Sequence, residues 1–518
     1  MSATRIGWWV LLLAMQPQAT RAICPGDCLG DGAVTVEEIV TLVNIALGNG
    51  GAAACTAGDT NQDGDITVDE IITAVNGALH GCPPTPTPTN TAAPTGTPTP
   101  VPPPTSTPSF LLTPTLTPTA GLCELGATGQ LVSYPGDKND GIAGPVPVPD
   151  DGATGSGLSP TFIDNGDGTI THIETGLMWE AKDDSGGLHD VNATFVWSGD
   201  GSQETVWDWL TDVNADGGVG FAGHTDWRIP NVNELQTLVN YGTFDPSVFP
   251  PFDVGCERRC RLPGCSCTAA AFYWSSTTLT DLGSGVVFID GVDGGSSKHV
   301  QGYARAVRAG RATDATCLPA TGQTRSYAAD RNDGVTGPVT VSDDGALQLG
   351  RPPRFRDNGD GTVTDQNTGL MWEKKDRAGG LHDQANVYRW SGNGEQETIW
   401  DWLDDVNSEI DPVFGDTGFA GYTDWRIPNV NELRSVLVLD QPSPTIAPAF
   451  VMGCTAGCSV ASCSCTAAEL YWSATTLARN PAAARWLVSF GGGGSGHSDL
   501  VSDSVFRVRA VRPAVDAQ

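Results

Sequence analysis

Gly220-Phe221-Ala222-Gly223-His224-Thr225-Asp226-Trp227-Arg228-Ile229-Pro230-Asn231-Val232-Asn233-Glu234-Leu235 decides how this chain is read, because it is written again at 418–433 with Tyr422 in place of His224. The same landmarks flank both copies. Trp179 and Trp372 are 193 residues apart, as are Trp207 and Trp400, whereas Trp227 and Trp425 are 198 apart and Arg305 and Arg509 are 204 apart. The extra length falls between Asn407 and Gly418 and between Thr476 and Arg509, and such length changes belong in surface loops. Most of the protein is one domain written twice, at 123–312 and 317–514.

Within each copy the pattern is α+β. Asp164-Asn165-Gly166-Asp167-Gly168 lies between Phe162 and the alternating Thr169-Ile170-Thr171, which predicts a strand, a tight turn and a strand. Counted as a calcium loop with Gly168 at position 6, it puts Ile163 at position 1, and Arg356 in the second copy, so the first ligand is missing and a hairpin is the better reading. Val206, Leu210 and Val213 mark one helix face, repeated by Ile399, Leu403 and Val406. Pro230-Asn231 opens another helix, with Asn231 as N-cap and Glu234 completing a capping box. A Pro-Asn pair beside acids also suits the sugar-coordinating loop of calcium lectins, but capping accounts for the residues more simply. Val286–Ile289 and Ala304–Arg308 read as strands.

Three groups of residues invite chemistry. Six tryptophan pairs recur (179/372, 197/390, 207/400, 209/402, 227/425, 274/472); they could stack on sugars, and a tryptophan-rich core is the plainer expectation. His189-Asp190 and His382-Asp383 could act as base and orienter; with no nucleophile or metal set beside them, hydrogen-bonded structural histidines are expected. Cys256, Cys260, Cys265 and Cys267 recur as Cys454, Cys458, Cys463 and Cys465. Zinc could be forced onto that spacing, but Cys-x-Cys is a poor tetrahedral clamp, so two disulfides per copy are expected. Cys123 and Cys317 are left over; they could pair with each other across the tandem, or Cys123 could bond elsewhere.

The rest of the chain sets the compartment. Arg5 precedes an apolar run, Ile6–Met15, and Thr20 and Ala22 supply small residues before a cleavage point, so 1–22 reads as a signal peptide. That run is too short to span a bilayer, and no later stretch is long and apolar enough for a membrane span. Fourteen cysteines fit an oxidising compartment. A formal net charge of −32 excludes nucleic acid as the main partner, because phosphate binding needs clustered Lys and Arg. The expected location is secreted or cell-surface, outside a bacterium.

Residues 23–82 repeat internally. Asp59, Asn61 and Asp63 stand at positions 1, 3 and 5 of a loop, Gly64 turns at 6, Asp65 offers its carbonyl at 7 and Glu70 closes at 12. Those are EF-hand spacings for Ca2+. The first loop keeps Asp27, Asp31, the Ala33 carbonyl and Glu38, but Leu29 stands at position 3, which predicts a weaker site. Val36, Ile39, Val40, Val43 and Leu47, then Val68, Ile71, Ile72, Val75 and Leu79, predict two amphipathic exit helices. Cys24, Cys28, Cys55 and Cys82 imply two disulfides of open connectivity. This small all-α segment resembles the dockerin-type calcium module, which docks onto a cohesin-type domain; Leu29 and a glutamate rather than aspartate at position 12 depart from that family. Residues 83–120 are a Pro/Thr linker, stiff in polyproline II at about 3.1 Å per residue.

The repeated motifs carry a second resemblance. Asn165-Gly166-Asp167-Gly168-Thr169, Thr175-Gly176-Leu177-Met178-Trp179, Asp226–Leu235, Tyr273-Trp274-Ser275 and Arg305-Ala306-Val307-Arg308, with their counterparts, resemble the C-terminal domain family of the Legionella collagen-like adhesin. The resemblance implies two tandem C-type-lectin-like domains of adhesion type. The reading to test is a calcium-stabilised, secreted or surface protein that grips an extracellular ligand such as a glycan. The rival is an extracellular enzyme, or a cohesin-docked component of a polysaccharide-acting assembly.

Overall fold

The computed structural model describes residues 26–28, 34–46, 55–59, 66–67, 70–71, 74, 122–141, 144–279, 282–309, 318–410, 415, 418–499 and 502–514. The signal peptide and the Pro/Thr linker read from the sequence lie outside them. The chain divides into two compact units, Met1–Leu112 and Thr113–Gln518. Among the described residues, no helix is long and apolar enough to cross a membrane.

In the first unit a helix runs Val36–Ala46. Glu38 reaches back to the Thr35 N–H and hydroxyl at 2.8 and 2.9 Å, and Glu70 does the same to Thr67 at 2.9 and 3.0 Å. These bonds satisfy donors that a helix start leaves orphaned, and Glu38 N–H returns one to the Thr35 hydroxyl at 3.4 Å. The buried face is not the one the spacing suggested. Leu42 and Ile45 are buried with Val34, Cys55, Ile66 and Ala74, and Ile39 is half-buried against them, while Val40 and Val43 are exposed. Cys55, bonded to Cys28, belongs to the same cluster, with Cys28 packed against it.

The second unit is built from small antiparallel sheets. In the first copy β1 (Phe162–Asp164), β2 (Thr169–His172), β3 (Leu177–Glu180) and β7 (Val307–Ala309) form one sheet in the order β1-β2-β3-β7. β8 (Phe355–Asp357), β9 (Thr362–Asp365), β10 (Leu370–Glu373) and β14 (Val511–Pro513) repeat it. The Asp164–Gly168 stretch is a hairpin turn: Gly166 N–H donates to Asp164 and Thr169 N–H to Asp167. The remaining strands are β4 (Phe272–Leu279), β5 (Leu282–Val287), β6 (Val292–Ser297), β11 (Leu470–Thr476), β12 (Arg485–Ser489) and β13 (Ser495–Ser498). They merge into a single six-stranded sheet, β11-β12-β13-β6-β5-β4, joined across the copies where Ser495 pairs with Asp293.

The repeated motif at 220–235 earns its place by connecting these layers. Asn231 and Glu234 form a capping box on the helix Val232–Gln236, as Asn429 and Glu432 do on Val430–Ser435. Arg228 then grips the capping glutamate in a bidentate pair at 2.6 and 2.7 Å. Its backbone exchanges hydrogen bonds with Val307 of β7, and Val232 N–H donates to Thr277 of β4. One decapeptide thus ties a helix start to two sheets. The helices Val206–Ala215 and Ile399–Ser408 carry capping boxes of their own, Thr205 with Asp208 and Thr398 with Asp401.

The sequence repeats are not the packing units. Residues 122–160 open the first copy yet reach across to the second: Thr476 N–H donates to Gln130 at 2.9 Å, Asp137 N–H to Ser391 at 2.8 Å, and Lys138 pairs with Asp404. Residues 318–351 return the exchange, with Thr278 N–H on Gln323 at 3.0 Å, Asp330 N–H on Ser198 at 2.9 Å and Arg331 on Asp208 at 3.0 Å. Each arm ends in a buried aspartate bridging two threonines. Asp151 accepts from Thr128 and Thr475, and Asp344 from Thr321 and Thr277, all at 2.6–2.7 Å. A glycine must follow each: a Cβ on Gly152 would sit 2.0 Å from the Val132 carbonyl oxygen, and one on Gly345 would sit 1.8 Å from that of Arg325. Entry and exit of the unit meet on one turn, since Cys123 N–H donates to Asn367 O at 2.8 Å and Ala514 N–H to Gly369 O at 2.7 Å.

Candidate functional site

Of the proposed calcium ligands, Asp27, Glu38, Asp59 and Glu70 are described; Asp31, Ala33, Asn61, Asp63 and Asp65 lie outside the described residues, as do Cys24 and Cys82. Asp27, Glu38 and Glu70 are buried. Carboxylates drawn in from solvent at positions 1 and 12 are the donor type a hard cation takes, so the residues present fit calcium. Cys28 bonds to Cys55.

The cysteine clusters are disulfides. Cys256 bonds to Cys267 and Cys260 to Cys265, and the second copy repeats this as Cys454–Cys465 and Cys458–Cys463. Cys260, Cys265 and Cys267 bring their sulfurs within 4.8 Å of one another, but each is already bonded, which leaves no thiolate for zinc. The knot presents the Cys267 carbonyl and the Thr268 hydroxyl to Arg305, at 2.6 and 2.9 Å, and Arg305 also donates to the Glu180 carbonyl at 2.7 Å. Cys123 is disulfide-bonded; Cys317 lies outside the described residues.

All thirteen described tryptophans, Trp179 through Trp486, are buried. The recurring pairs are core rather than an aromatic platform. Most of their indole N–H groups are tied to nearby carbonyls, for instance Trp227 to Phe221 O at 3.0 Å and Trp274 to Phe195 O at 2.9 Å, whereas those of Trp179, Trp372 and Trp400 are buried without a partner.

The histidines sit in a buried ionic network. His189 Nδ1 lies 2.7 Å from Glu180 and Lys182 Nζ 2.9 Å from the same oxygen, while Ala306 N–H donates to its other oxygen at 2.9 Å. Burial alone would raise the Glu180 carboxyl, but the Lys182 ammonium and the His189 hydrogen bond outweigh it and hold it down at about 2. Glu373 is held at about 2 in the same way by Lys375 and His382. His382 is also bound by Glu409 at 3.0 Å; burial works against its charge, yet the two carboxylates raise its pKa. Asp190 and Asp383 do not orient these rings. They cap their own loops, receiving the Asn192 and Ala385 N–H groups at 2.7 Å. The sequence pattern had paired each histidine with the wrong acid; the partner is the glutamate ending β3 or β10, which alternation alone cannot reveal.

A cleft of about 100 Å³ lies where the copies meet. Leu125, Leu158, Val239, Phe249 and Leu318 give it an apolar lining, and Asn233, Gln236, Asn431 and Arg434 come from equivalent helices of the two copies. His172 and Glu174 form another wall, 3.3 Å apart. Burial lowers the His172 pKa to about 4 against the pull of Glu174, so the ring is neutral at pH 7. Its Nδ1 has no partner in the protein. The counterpart cleft, with Arg351, Asp365 and Asn367 in place of Leu158, His172 and Glu174, measures only about 10 Å³. No sequence signal pointed to this cleft, because its walls come together through the arm exchange.

No curated protein and no solved structure matches this chain. The Lcl C-terminal domain matches residues 168–308 and again 361–512, one match in each copy. The protein belongs to the Lcl C-terminal domain family, with two copies of that domain in tandem.

Proposed function

We propose that the protein is an adhesin-like extracellular binding protein whose paired domains grip a ligand, carbohydrate being the first candidate class, without turning it over. Family membership of both copies supports an adhesin-like role. The observation that carries the reading further is the cleft at their junction, lined by residues of both. A largely apolar concavity with a few polar groups is the usual form of a ligand site. The two copies belong to the C-type-lectin-like class in this reading. The N-terminal module binds calcium through Asp59, Asn61, Asp63, Asp65 and Glu70, with a weaker site at Asp27, Asp31, Ala33 and Glu38. It anchors or stabilises the protein, and a cohesin-type domain is the partner to try first.

The test is a binding screen of the full calcium-loaded chain against arrayed glycans and extracellular polymers. Retention of one class, with the bound material recovered intact, is expected. Chemical conversion of the bound material, or failure to retain any polymer, overturns the reading.

A further inference from the structure

The inter-copy cleft has a chemical bias. Its polar walls turn amide donors into the protein: Asn233 donates to Pro319 O at 2.9 Å, Asn431 to Gly126 O at 2.9 Å and Gln236 to Gly291 O at 3.3 Å. Arg434, the cation in the lining, is committed to buried Asp293. Acceptors remain in the lining: the Glu124 carboxylate and the second oxygen of Glu174, whose Oε2 already accepts from Thr161 N–H at 2.8 Å, with the buried, partnerless Nδ1 of His172 behind them. An anionic group would meet two carboxylates and no uncommitted positive charge, in a chain of net charge −32. A donor-bearing cation meets complementary charge, and an apolar stem on it meets Leu125, Leu158, Val239, Phe249 and Leu318. The volume of about 100 Å³ is several times the roughly 10–15 Å³ of such space that one water needs, so a short aliphatic stem with a terminal nitrogen can enter.

We propose that this cleft is a receptor for a primary alkylammonium group, a short aliphatic stem ending in a cationic nitrogen that docks against Glu174. The proposal rests on the reading of the cleft as the binding surface. The second copy is an internal control: Arg351 replaces Leu158 and Asn367 replaces Glu174, which removes both the apolar wall and the anion.

The full chain, in calcium-saturated buffer at fixed ionic strength, is titrated with n-butylammonium, n-butanol and n-butyrate, and binding is read by calorimetry and thermal shift. Butylammonium binds, butanol binds about tenfold more weakly for want of the charge, and butyrate does not bind. Glu174→Gln removes the preference for ammonium over alcohol and leaves butanol binding in place. Leu158→Arg, at a 43 % exposed position that tolerates a long polar side chain, abolishes both. Butyrate binding as tightly as butylammonium, an unchanged preference in Glu174→Gln, or no binding by any of the three overturns the proposal. Butylammonium binding with no polymer retained on the arrays removes the adhesion reading and leaves this site standing. Polymer retention that survives Leu158→Arg while butylammonium binding is lost separates the two in the other direction.

Discussion

Asp151→Asn should make the protein more stable at neutral pH. Asp151 is buried at 1 % exposure, with Glu432 and Asp150 nearby, and it bridges Thr128 of its own arm to Thr475 of the other copy. Burial raises its pKa to about 7, an effect that the two threonine hydrogen bonds only partly offset. A carboxyl whose folded pKa lies above its unfolded value of 3.8 contributes stability that is fully present below 3.8 and is lost as pH rises towards the folded value. A shift of about three units corresponds to about 4 kcal/mol of lost stability above pH 7. Asparagine keeps an acceptor for both threonines and has no charge to bury. Denaturant melts of wild type and variant, followed by tryptophan fluorescence from pH 4 to 8, should therefore coincide near pH 4. They should separate with rising pH until the variant leads by up to about 4 kcal/mol. A variant less stable at pH 8, or a difference independent of pH, would refute the account of the arm as held by a protonatable latch. Asp344→Asn should behave alike, with its divergence ending nearer pH 6.

Further outcomes are expected. Arg228→Met should cost about 3–5 kcal/mol in the same melts, because it strands the buried Glu234 carboxylate. A Cys256→Ser, Cys267→Ser double variant, which opens a loop of sequence separation 11, should lose about 3 kcal/mol, whereas a zinc chelator should do nothing to the unmutated chain. Calcium at a hundred times its dissociation constant should stabilise the N-terminal module by about 2.7 kcal/mol, read as protection from limited proteolysis. Asp63→Ala should abolish most of that protection, and an unmutated chain indifferent to calcium would count against the site.

Much of the second unit was legible because its decisive contacts are local. Asn231 and Glu234 are three residues apart, and Asp164 to Thr169 closes its own turn. Cysteines 5 and 11 residues apart had few pairings open to them. What was missed is non-local. Gln130 meets Thr476 across 346 residues, and Thr277-Thr278 and Thr475-Thr476 are the same pair in both copies, so the sequence cannot say which arm serves which copy. Val40 and Val43 were assigned to the buried face of their helix because apolar spacing says which residues share a side. It does not say which side a disulfide and a neighbouring loop will cover.

The chain enters the tandem body at Cys123 and leaves it at Ala514 through hydrogen bonds to residues two apart, Asn367 and Gly369. A tug applied through the polypeptide would thus be borne at a single doorway, and the body would hang from it like a pendant, its sheets spared the load. The same closeness of threshold and exit means that the whole body could be spliced into a loop of another protein without being stretched.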